Sequence, residues 1–370
     1  NGPACPTKER KDGLAMKRKE KNSDPEEDLQ DTGKKRKRRK KILTIVIVIL
    51  AIAVALIGAV YAVFHHYYSK SNYVSDSDVA QYSEDQLPED VLRENGLDSM
   101  SEEARRKAEE DAKAAQDIEF ANGSYVYNLL LIGSDRRDDS WYGNSDVMML
   151  ASINKKTKTI YLTSFMRDSY ALVGDSGAHK LNYAYAAGGG PYLVETIEQN
   201  YRIKIDNYAS ADFDSTAQIV DLVGGVDIPL NQEECDYLTN GGVGDFPTAG
   251  TYHLNGEQTV AYGRIRHVGN SDYERTERQR RVMTQIFQKA KTLGLGELNT
   301  LANAILPLVT HNMTEFQVVS LLTQLPSIMG YELVTDRIPY DGMFHSEGEL
   351  LVPDWVPTIE KLQETIYAEE

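Results

Sequence analysis

Cysteine is scarce in this chain, since Cys5 and Cys235 are the two thiols among 370 residues. Two cysteines are too few for the disulfide frameworks that hold small secreted domains together. Cys235 also has no neighbouring motif typical of a catalytic thiol, so a cysteine nucleophile is not expected. A domain of this length must therefore be stabilised by its hydrophobic core.

The sequence also lacks the glycine-rich signatures that cradle nucleotide phosphates. Its glycine run, Gly188-Gly189-Gly190, has neither the G-x-G-x-x-G spacing nor a following Gly-Lys-Ser/Thr. Such a run is more typical of a turn between two helices. The basic N-terminal tail contains no helix-turn-helix pattern either, so direct binding to DNA is not expected.

Long apolar runs are rare, and the one at residues 42–64 is 23 residues without a charge. About 20 apolar residues of helix span the hydrocarbon core of a membrane. A continuous basic run at 34–41 precedes it, and the excess of positive charge on cytoplasmic flanks puts that side inside the cell. We therefore expect a single-pass protein of the cell membrane with its N-terminus in the cytoplasm and the remainder outside. Cys5 and Cys235 would then lie on opposite sides and could not pair.

Positive charge is scarce beyond the tail. Residues 1–41 carry 15 Lys+Arg and 8 Asp+Glu, a net charge of +7, whereas the rest of the chain carries 25 and 48, a net charge of −23. The tail has almost nothing to bury and is predicted to be disordered. Residues 65–123, which are polar and rich in Ala, Glu, Lys and Arg towards their end, are predicted to form a stem or spacer. A compact domain is expected at 124–345, and residues 346–370 either pack on it or trail from it.

Apolar runs in the compact domain predict three early strands, at 126–132, 147–153 and 159–165. If the second and third form a hairpin, Asp146 and Arg167 lie at the same edge of the sheet. The intervening loop is short enough to bring Asp135 to that edge. Two carboxylates beside an arginine suit Mg²⁺ that bridges protein and phosphate oxygens. Equally, Asp135 and Asp146 could simply cap turns.

Further strands alternate with helices towards the C-terminus, which predicts an α/β fold. We expect a three-layer αβα sandwich with a central mixed β-sheet, preceded by one transmembrane helix. Asn255, with Gln258 three residues later, has the pattern of a helix N-cap, and the helix that it starts ends near Arg264.

Arginines are concentrated between Arg264 and Arg280. Arginine presents a planar fork of donors that matches phosphate oxygens. If Asp272 caps a helix, Arg275 and Gln279 share its face, and the first turn offers guanidinium, amide and backbone N–H groups to an anion. The same run is also compatible with a solvated helix held by ion pairs between residues three or four apart.

An ordered set of short motifs runs through residues 124–292: Leu131-Ile132-Gly133-Ser134-Asp135 with Arg137, Ser145-Asp146, Ser164 with Arg167-Asp168, Lys180-Leu181-Asn182, Asp212-Phe213, Gly224-Gly225-Val226, Leu254-Asn255-Gly256-Glu257-Gln258, Arg264-Ile265-Arg266, and Asp272 with Arg275, Arg278 and Gln279. Together with the predicted topology, this set resembles the LytR–CpsA–Psr family of bacterial cell-wall enzymes. Two positions depart from the family pattern. Phe165-Met166 stands where Ile-Pro is frequent, and Asn144 stands where a basic residue is frequent. Neither change removes a charged group of the expected site.

The resemblance implies an extracellular phosphotransferase that moves a glycopolymer from a polyprenyl-pyrophosphate carrier to a muramic acid of peptidoglycan. By motif, Asp135 and Asp146 would hold Mg²⁺ or Mn²⁺. The residues implied in contacts with the pyrophosphate are Arg167, Lys180, Arg264, Arg266, Arg275 and Gln279. The residues implied in catalysis are Arg167, Asp272, Arg275 and Gln279. Asp168 and Asp272 are both candidates for the general base.

Three other functions remain compatible with the sequence. The same residues could hydrolyse the carrier with water as the acceptor. The protein could be a receptor that binds polyprenyl lipid or polymer without turnover, although such a receptor would not need both Asp135 and Asp146. It could also be a regulatory, attenuator-type membrane protein. The expected partners are the lipid-linked glycopolymer (teichoic acid, capsule or another wall glycan), peptidoglycan and the membrane, with no nucleic acid.

Overall fold

A computed structural model describes residues 25–136, 141–269 and 271–369 of the chain. The tail at 1–41 was predicted to be disordered, but residues 25–41 form the start of a helix, so the prediction is wrong for that part. Residues 1–24 and the motif residue Arg137 lie outside the described residues. The chain divides into two compact units, one ending at Val63 and one beginning at Phe64. The described part of the first unit is helical. Judged by length and hydropathy, no helix within the described residues could cross a membrane.

The helices include the one predicted to start at Asn255 and the one predicted over the arginine-rich run. Their bounds are α1 Pro25–Tyr68, α2 Glu89–Asn95, α3 Glu102–Ala115, α4 Tyr183–Tyr201, α5 Phe213–Leu222, α6 Gln232–Asn240, α7 Gly256–Gly263, α8 Ser271–Thr292, α9 Leu295–Ile305, α10 Glu315–Ile328 and α11 Trp355–Ile366. The capping box predicted for Asn255 and Gln258 is confirmed at the start of α7. Helix α8 begins at Ser271, so Asp272 lies in its first turn rather than at the cap.

The strands include the three expected near the start of the domain. Their bounds are β1 Asn72–Tyr73, β2 Val126–Ser134, β3 Ser145–Asn154, β4 Thr159–Phe165, β5 Tyr170–Val173, β6 Gly177–Lys180, β7 Asn207–Asp212, β8 Val226–Leu230, β9 Gly250–Leu254, β10 Thr310–His311, β11 Glu332–Ile338, β12 Phe344–Glu347 and β13 Leu350–Pro353.

In the described residues, a central sheet of seven strands has the order β1-β10-β7-β2-β3-β4-β11. The pairs β2–β3 and β3–β4 are antiparallel, whereas β2–β7 and β4–β11 are parallel, so the sheet is mixed. The predicted hairpin is confirmed as β3–β4, with Met149 opposite Ser164. The mixed sheet and its flanking helices agree with the expected fold class.

The two faces of the sheet have different surroundings. On β2, Leu130 and Ile132 are buried in a core to which α3, α4 and α11 contribute. Leu131 and Gly133 alternate with them and face the opposite side, beside the elements α5, α7 and α8. One face of the sheet therefore carries the main core, and the other face carries the cavity described below.

The segment at 65–123 differs from the predicted stem. Leu97, Met100, Ala108, Ala112 and Ala115 are buried in the main core. The last three alanines recur at helical spacing, so they form a narrow apolar stripe that packs closely against its neighbours. Charged residues surround this stripe and give the sequence the appearance of a solvated spacer. The prediction of a free stem is therefore wrong for this helix, because its small side chains are core.

The C-terminal segment packs on the domain, which was one of the two predicted alternatives. Trp355, Ile359, Leu362 and Ile366 of α11 are buried in the same core as α3. The compact domain therefore extends beyond both predicted limits, since elements on each side of 124–345 complete its core.

Placing a carboxylate in the α3 stripe tests this packing. We expect Ala112→Asp to lower the free energy of unfolding by about 2–5 kcal/mol, because a charge would be buried without a partner. Ala114→Asp on the exposed side of the same helix is the matched control and should change stability by less than about 1 kcal/mol. Chemical denaturation of both variants is the measurement, and equal stabilities would restore the spacer interpretation.

Candidate active site

A cavity of about 790 Å³ lies between the sheet and the helices α5, α7 and α8. Its apolar lining comes from alternate positions of β2, β3 and β7, from the facing sides of the helices and from the residue before β10: Leu131, Val147, Met149, Ala209, Ala211, Ile219, Val260, Val282, Met283, Ile286 and Val309. The sequence did not assign these residues, because an apolar stripe in a strand usually belongs to a core. The sequence of β2 is almost continuously apolar and gives no signal for them, and only its burial in the structure alternates between buried and half-buried positions.

Charged side chains are brought together at one end of this cavity. Asp135 follows β2 and Asp146 lies near the start of β3, so the paired strands hold both carboxylates at the same sheet edge. The backbone N–H of Asn144 donates to Asp135 Oδ1 at 2.5 Å. Gly143 permits this loop with φ +80°, and a Cβ there would lie 2.7 Å from the backbone nitrogen of Arg136. Asp135 and Asp146 therefore line the same cavity, at the ends of paired strands as predicted.

Arg167, two residues after β4, lies among four carboxylates. Its Nη1 contacts Asp146 at 3.0 Å and Glu94 at 3.2 Å, and its Nε lies 3.3 Å from Asp168 and 4.0 Å from Asp272. Burial alone would lower the pKa of Arg167, but the surrounding carboxylates outweigh burial and raise it. This guanidinium is therefore a permanent cation at the centre of the charged cluster.

Asp168 and Asp272 behave as a coupled pair. Burial opposes ionisation of Asp168, yet Arg167, together with Lys180 at 2.9 Å, lowers its pKa. Burial and a hydrogen bond with the carboxyl group of Asp168 raise the pKa of Asp272. Two neighbouring carboxyl groups ionise at different pH values because both charges together are unfavourable. Asp168 is thus the charged member of the pair, and Asp272 is the member that more readily holds a proton.

Arg275 on α8 is a buried guanidinium that lines the cavity, with its side chain 3% exposed. Its Nη2 contacts Asp272 at 3.2 Å, and its Nη1 lies 3.8 Å from Asp146. Among the described residues, neither its Nε nor its Nη1 has a hydrogen-bond partner. Burial, reinforced by the nearby Arg167, lowers the pKa of Arg275. A buried cation is costly, and an anion in the cavity that Arg275 lines would offset part of that cost by its charge.

Three other predicted anion-binding residues line the same cavity: Arg264, Arg266 and Gln279. Arg264 lies at the end of α7, with its guanidinium 4.5 Å from the centre of the Phe213 ring. Arg266 is partly exposed and contacts Asp146 at 3.4 Å. Gln279 donates weakly to the carbonyl of Gly263 at 3.4 Å.

The structure therefore brings nearly all of the predicted site residues together. Asp135, Asp146, Arg167, Arg264, Arg266, Arg275 and Gln279 line the cavity. Lys180 and Asp272 are not part of the lining, but each contacts a residue of the charged cluster, Lys180 through Asp168 and Asp272 through Arg167 and Arg275. Glu94 lines the cavity and was not predicted, because it belongs to the segment interpreted as a stem.

Arg278, from the last of the sequence motifs, is buried and does not line the cavity. Its side chain is 1% exposed, and its Nε donates to Glu234 at 2.7 Å. Its two Nη groups donate to the carbonyls of Ile265 and Val268 at 3.1 and 3.0 Å. Arg278 thus holds the loop that carries Arg266.

The fold and the site together define the class of protein. The sequence profile of the LytR_cpsA_psr family matches residues 94–364. The chain belongs to the LytR_cpsA_psr family.

Individual relatives agree with this assignment. The chain is 34% identical over 242 residues to biofilm regulatory protein A of Streptococcus mutans. The matched stretch covers 60% of this chain and 57% of that protein. The chain is 35% identical over 198 residues to the polyisoprenyl-teichoic acid–peptidoglycan teichoic acid transferase TagU of Enterococcus faecalis, covering 52% of this chain and 62% of that protein. The chain therefore spans about three fifths of the length of these two curated relatives.

Solved structures show the same fold. The structure of TagT from B. subtilis is similar with a TM-score of 0.54 and 23% identity, covering 69% of this chain and 95% of that one. Protein gbs0355 from Streptococcus agalactiae is similar with a TM-score of 0.57 and 24% identity, covering 67% of this chain and 89% of that one. At this level of identity, the likeness establishes the mixed sheet with its flanking helices.

Replacing Arg278 tests its structural role. We expect Arg278→Met to lower the free energy of unfolding by about 3–5 kcal/mol, because Glu234 would stay buried without its cation and two carbonyls would lose their donors. Lys291→Met at the exposed end of the same helix should cost less than about 1 kcal/mol. Denaturant unfolding of both variants decides the matter, and a stability of Arg278→Met near that of the unmodified protein would show that the loop is held by other contacts.

Proposed function

We propose that this protein is a phosphotransferase that moves a glycopolymer from a polyprenyl-pyrophosphate carrier to peptidoglycan, through a phosphodiester to muramic acid. The observation that carries the proposal is the set of guanidinium groups of Arg167, Arg264, Arg266 and Arg275, which line one cavity together with apolar side chains. A polyprenyl chain suits the apolar part, and a pyrophosphate suits the cationic end. The transferase name of the Enterococcus relative supports a teichoic acid as the glycopolymer.

The proposed roles of the site residues follow from their positions. Arg167, Arg264, Arg266 and Arg275 would bind the pyrophosphate oxygens and stabilise the charge that develops on the transferred phosphoryl group. Gln279 would add a neutral donor. Lys180 would act through Asp168, which it contacts at 2.9 Å, by balancing its charge beside Arg167. Asp272 would orient Arg275 through an ion pair, in which Arg275 Nη2 lies 3.2 Å from Asp272 Oδ1.

We further propose Mg²⁺ or Mn²⁺ at Asp135 and Asp146. Magnesium is commonly bound by one or two carboxylates together with substrate phosphates and water, and these two carboxylates at one cavity rim fit that donor set. Within the described residues, no group of three or more His, Cys, Asp or Glu side chains could hold a metal ion. The proposal is therefore a metal that binds together with the pyrophosphate. When bound, it would neutralise charge on the phosphate oxygens.

The location of the protein is also a proposal. Residues 42–64 would anchor it in the cell membrane with the N-terminus in the cytoplasm and the catalytic domain outside the cell. The support comes from the sequence, where 23 residues without a charge follow a continuous basic run. An extracellular position would give the domain access to both lipid-linked polymer and peptidoglycan.

Removing the central charges should abolish transfer. The full chain would be incubated with a polyprenyl-pyrophosphate-linked oligosaccharide, peptidoglycan fragments and Mg²⁺, and the conjugate would be measured. We expect Asp146→Ala and Arg275→Ala to lower its formation by at least about 100-fold, because the first removes a proposed metal ligand and the second removes a guanidinium that would bind the pyrophosphate. Asp111→Ala and Arg106→Ala on the exposed side of α3 are the controls. Phosphate release without conjugate would indicate a hydrolase, and donor binding without turnover would indicate a receptor.

Thermal unfolding tests the metal without relying on activity. With inorganic pyrophosphate present, we expect saturating Mg²⁺ to raise the Tm of the full chain by about 2–4 °C beyond pyrophosphate alone, since a ligand that binds the folded state stabilises it. Asp135→Asn should lose this Mg²⁺-dependent increment and keep the shift caused by pyrophosphate. The control is Asp111→Asn on α3. An equal increment in Asp135→Asn and the unmodified protein would remove Asp135 from the metal site.

A further inference from the structure

Glu94 brings a carboxylate to the charged cluster from α2, outside the domain that the sequence predicted. Its Oε1 accepts a hydrogen bond from Arg167 Nη1 at 3.2 Å, and its Oε2 accepts one from Asn144 Nδ2 at 3.4 Å. It lines the cavity and contacts the same nitrogen of Arg167 as Asp146 does. No motif of the sequence points to this residue.

The backbone at Glu94 is held firmly by the core. Val91 and Asn95 on the same helix are buried, and Leu87 and Leu97 on either side of the helix are buried in the main core. Asn95 Nδ2 also donates to Asn144 Oδ1 at 3.0 Å, which ties the end of α2 to the loop between β2 and β3. Glu94 therefore has a fixed place at the cavity rim, as a group that acts on a substrate needs.

The four carboxylates around Arg167 differ in exposure and in their cations. Asp168 is 8% exposed and lies between Arg167 and Lys180. Asp146 is 13% exposed and faces Arg167, Arg266 and Arg275. Each of these two carboxylates is therefore paired with two or more cations.

Asp272 is 27% exposed and is the member of the coupled pair whose pKa is raised. Glu94 is 45% exposed. Among the described residues, Arg167 is the one cation with which it forms an ion pair. Glu94 is therefore the carboxylate of this group that solvent and an incoming acceptor reach most easily.

Transfer to a sugar hydroxyl needs a base in such a position. An alcohol is a weak nucleophile at neutral pH, and a carboxylate that takes its proton during attack contributes typically about 10²–10⁴-fold. Peptidoglycan is a polymer, so its hydroxyl must approach the rim from solvent rather than through the apolar cavity. A base that is buried and paired with several cations cannot meet it there.

We propose that Glu94 is the general base of the transfer, an assignment that rests on the phosphotransferase function proposed above. The hydroxyl oxygen of the acceptor forms a bond to the phosphorus that carries the glycan, and its proton passes to the Glu94 carboxylate. The bond from that phosphorus to the bridging oxygen breaks, and the electron pair leaves with the polyprenyl phosphate. Glu94 then returns its proton to water.

Isosteric replacement separates this role from a positioning role. In Glu94→Gln, an amide oxygen can still accept the hydrogen bond from Arg167, but the side chain no longer takes up a proton. Glu94→Ala removes the side chain and leaves space for a small carboxylate. Glu89→Gln, an exposed position on the same helix, is the matched control.

The experiment measures transfer by the full chain with a polyprenyl-pyrophosphate-linked oligosaccharide and soluble peptidoglycan fragments, with Tm recorded for each variant. We expect Glu94→Gln to lower kcat by about 10²–10³-fold, with KM for the lipid donor within about 2-fold of the unmodified value. Glu89→Gln should match the unmodified protein. Formate should restore activity to Glu94→Ala by about 10-fold or more, and it should not do so for Glu94→Gln.

Three results would overturn the assignment. A kcat of Glu94→Gln within about 3-fold of the unmodified value would show that no proton is taken up there. A rise in donor KM with unchanged kcat would make Glu94 a positioning residue for Arg167. A loss of kcat that formate does not restore in Glu94→Ala would also exclude a base. If the unmodified protein forms no conjugate, the proposed function itself fails, and the Glu94 assignment falls with it.

Discussion

The 3.0 Å contact between Arg167 and Asp146 joins the two strands of the β3–β4 hairpin at the edge where the charged cluster is assembled. Asp146 also faces Arg266 and Arg275, so one carboxylate gathers guanidinium groups from two further segments of the chain. Guanidinium groups placed this close would repel one another without intervening carboxylates. The hairpin register therefore fixes the cluster, because a shift by one residue would turn Asp146 to the other face.

The alternation of strands explains why a cationic site can sit at the end of an apolar cavity. One set of β2 positions completes the core shared with α3, α4 and α11, and the other set lines the cavity. The same sheet edge at which these strands end carries the carboxylates and Arg167. A lipid-linked anion is amphipathic in the same sense, with a long apolar chain and a charged head. The match between this cavity and the proposed ligand class is thus a consequence of the sheet geometry.

Much of this arrangement could be predicted from local patterns. Continuous apolar runs predicted β2, β3 and β4, and the short turn at residues 154–158 predicted the hairpin that brings Asp146 and Arg167 together. Prediction from the sequence failed where the packing of distant elements decides which residues are buried. Helix α3 is charged on most of its surface, so its narrow alanine stripe could be recognised as core only from the elements that pack on it. The lining of the cavity has the same composition as a core, and sequence does not distinguish the two.

By itself the sequence determined the three early strands, their hairpin, and the arginine and aspartate residues that the structure brings together, because these depend on neighbouring residues and on short spacings. Tertiary structure alone decided which members of that set are available to a ligand. Arg275 and Arg278 lie three residues apart on α8, yet Arg275 lines the cavity whereas Arg278 is buried against Glu234 and two carbonyls. It also placed Glu94 beside Arg167, a contact across 73 residues that depends on how α2 packs and that no local pattern encodes.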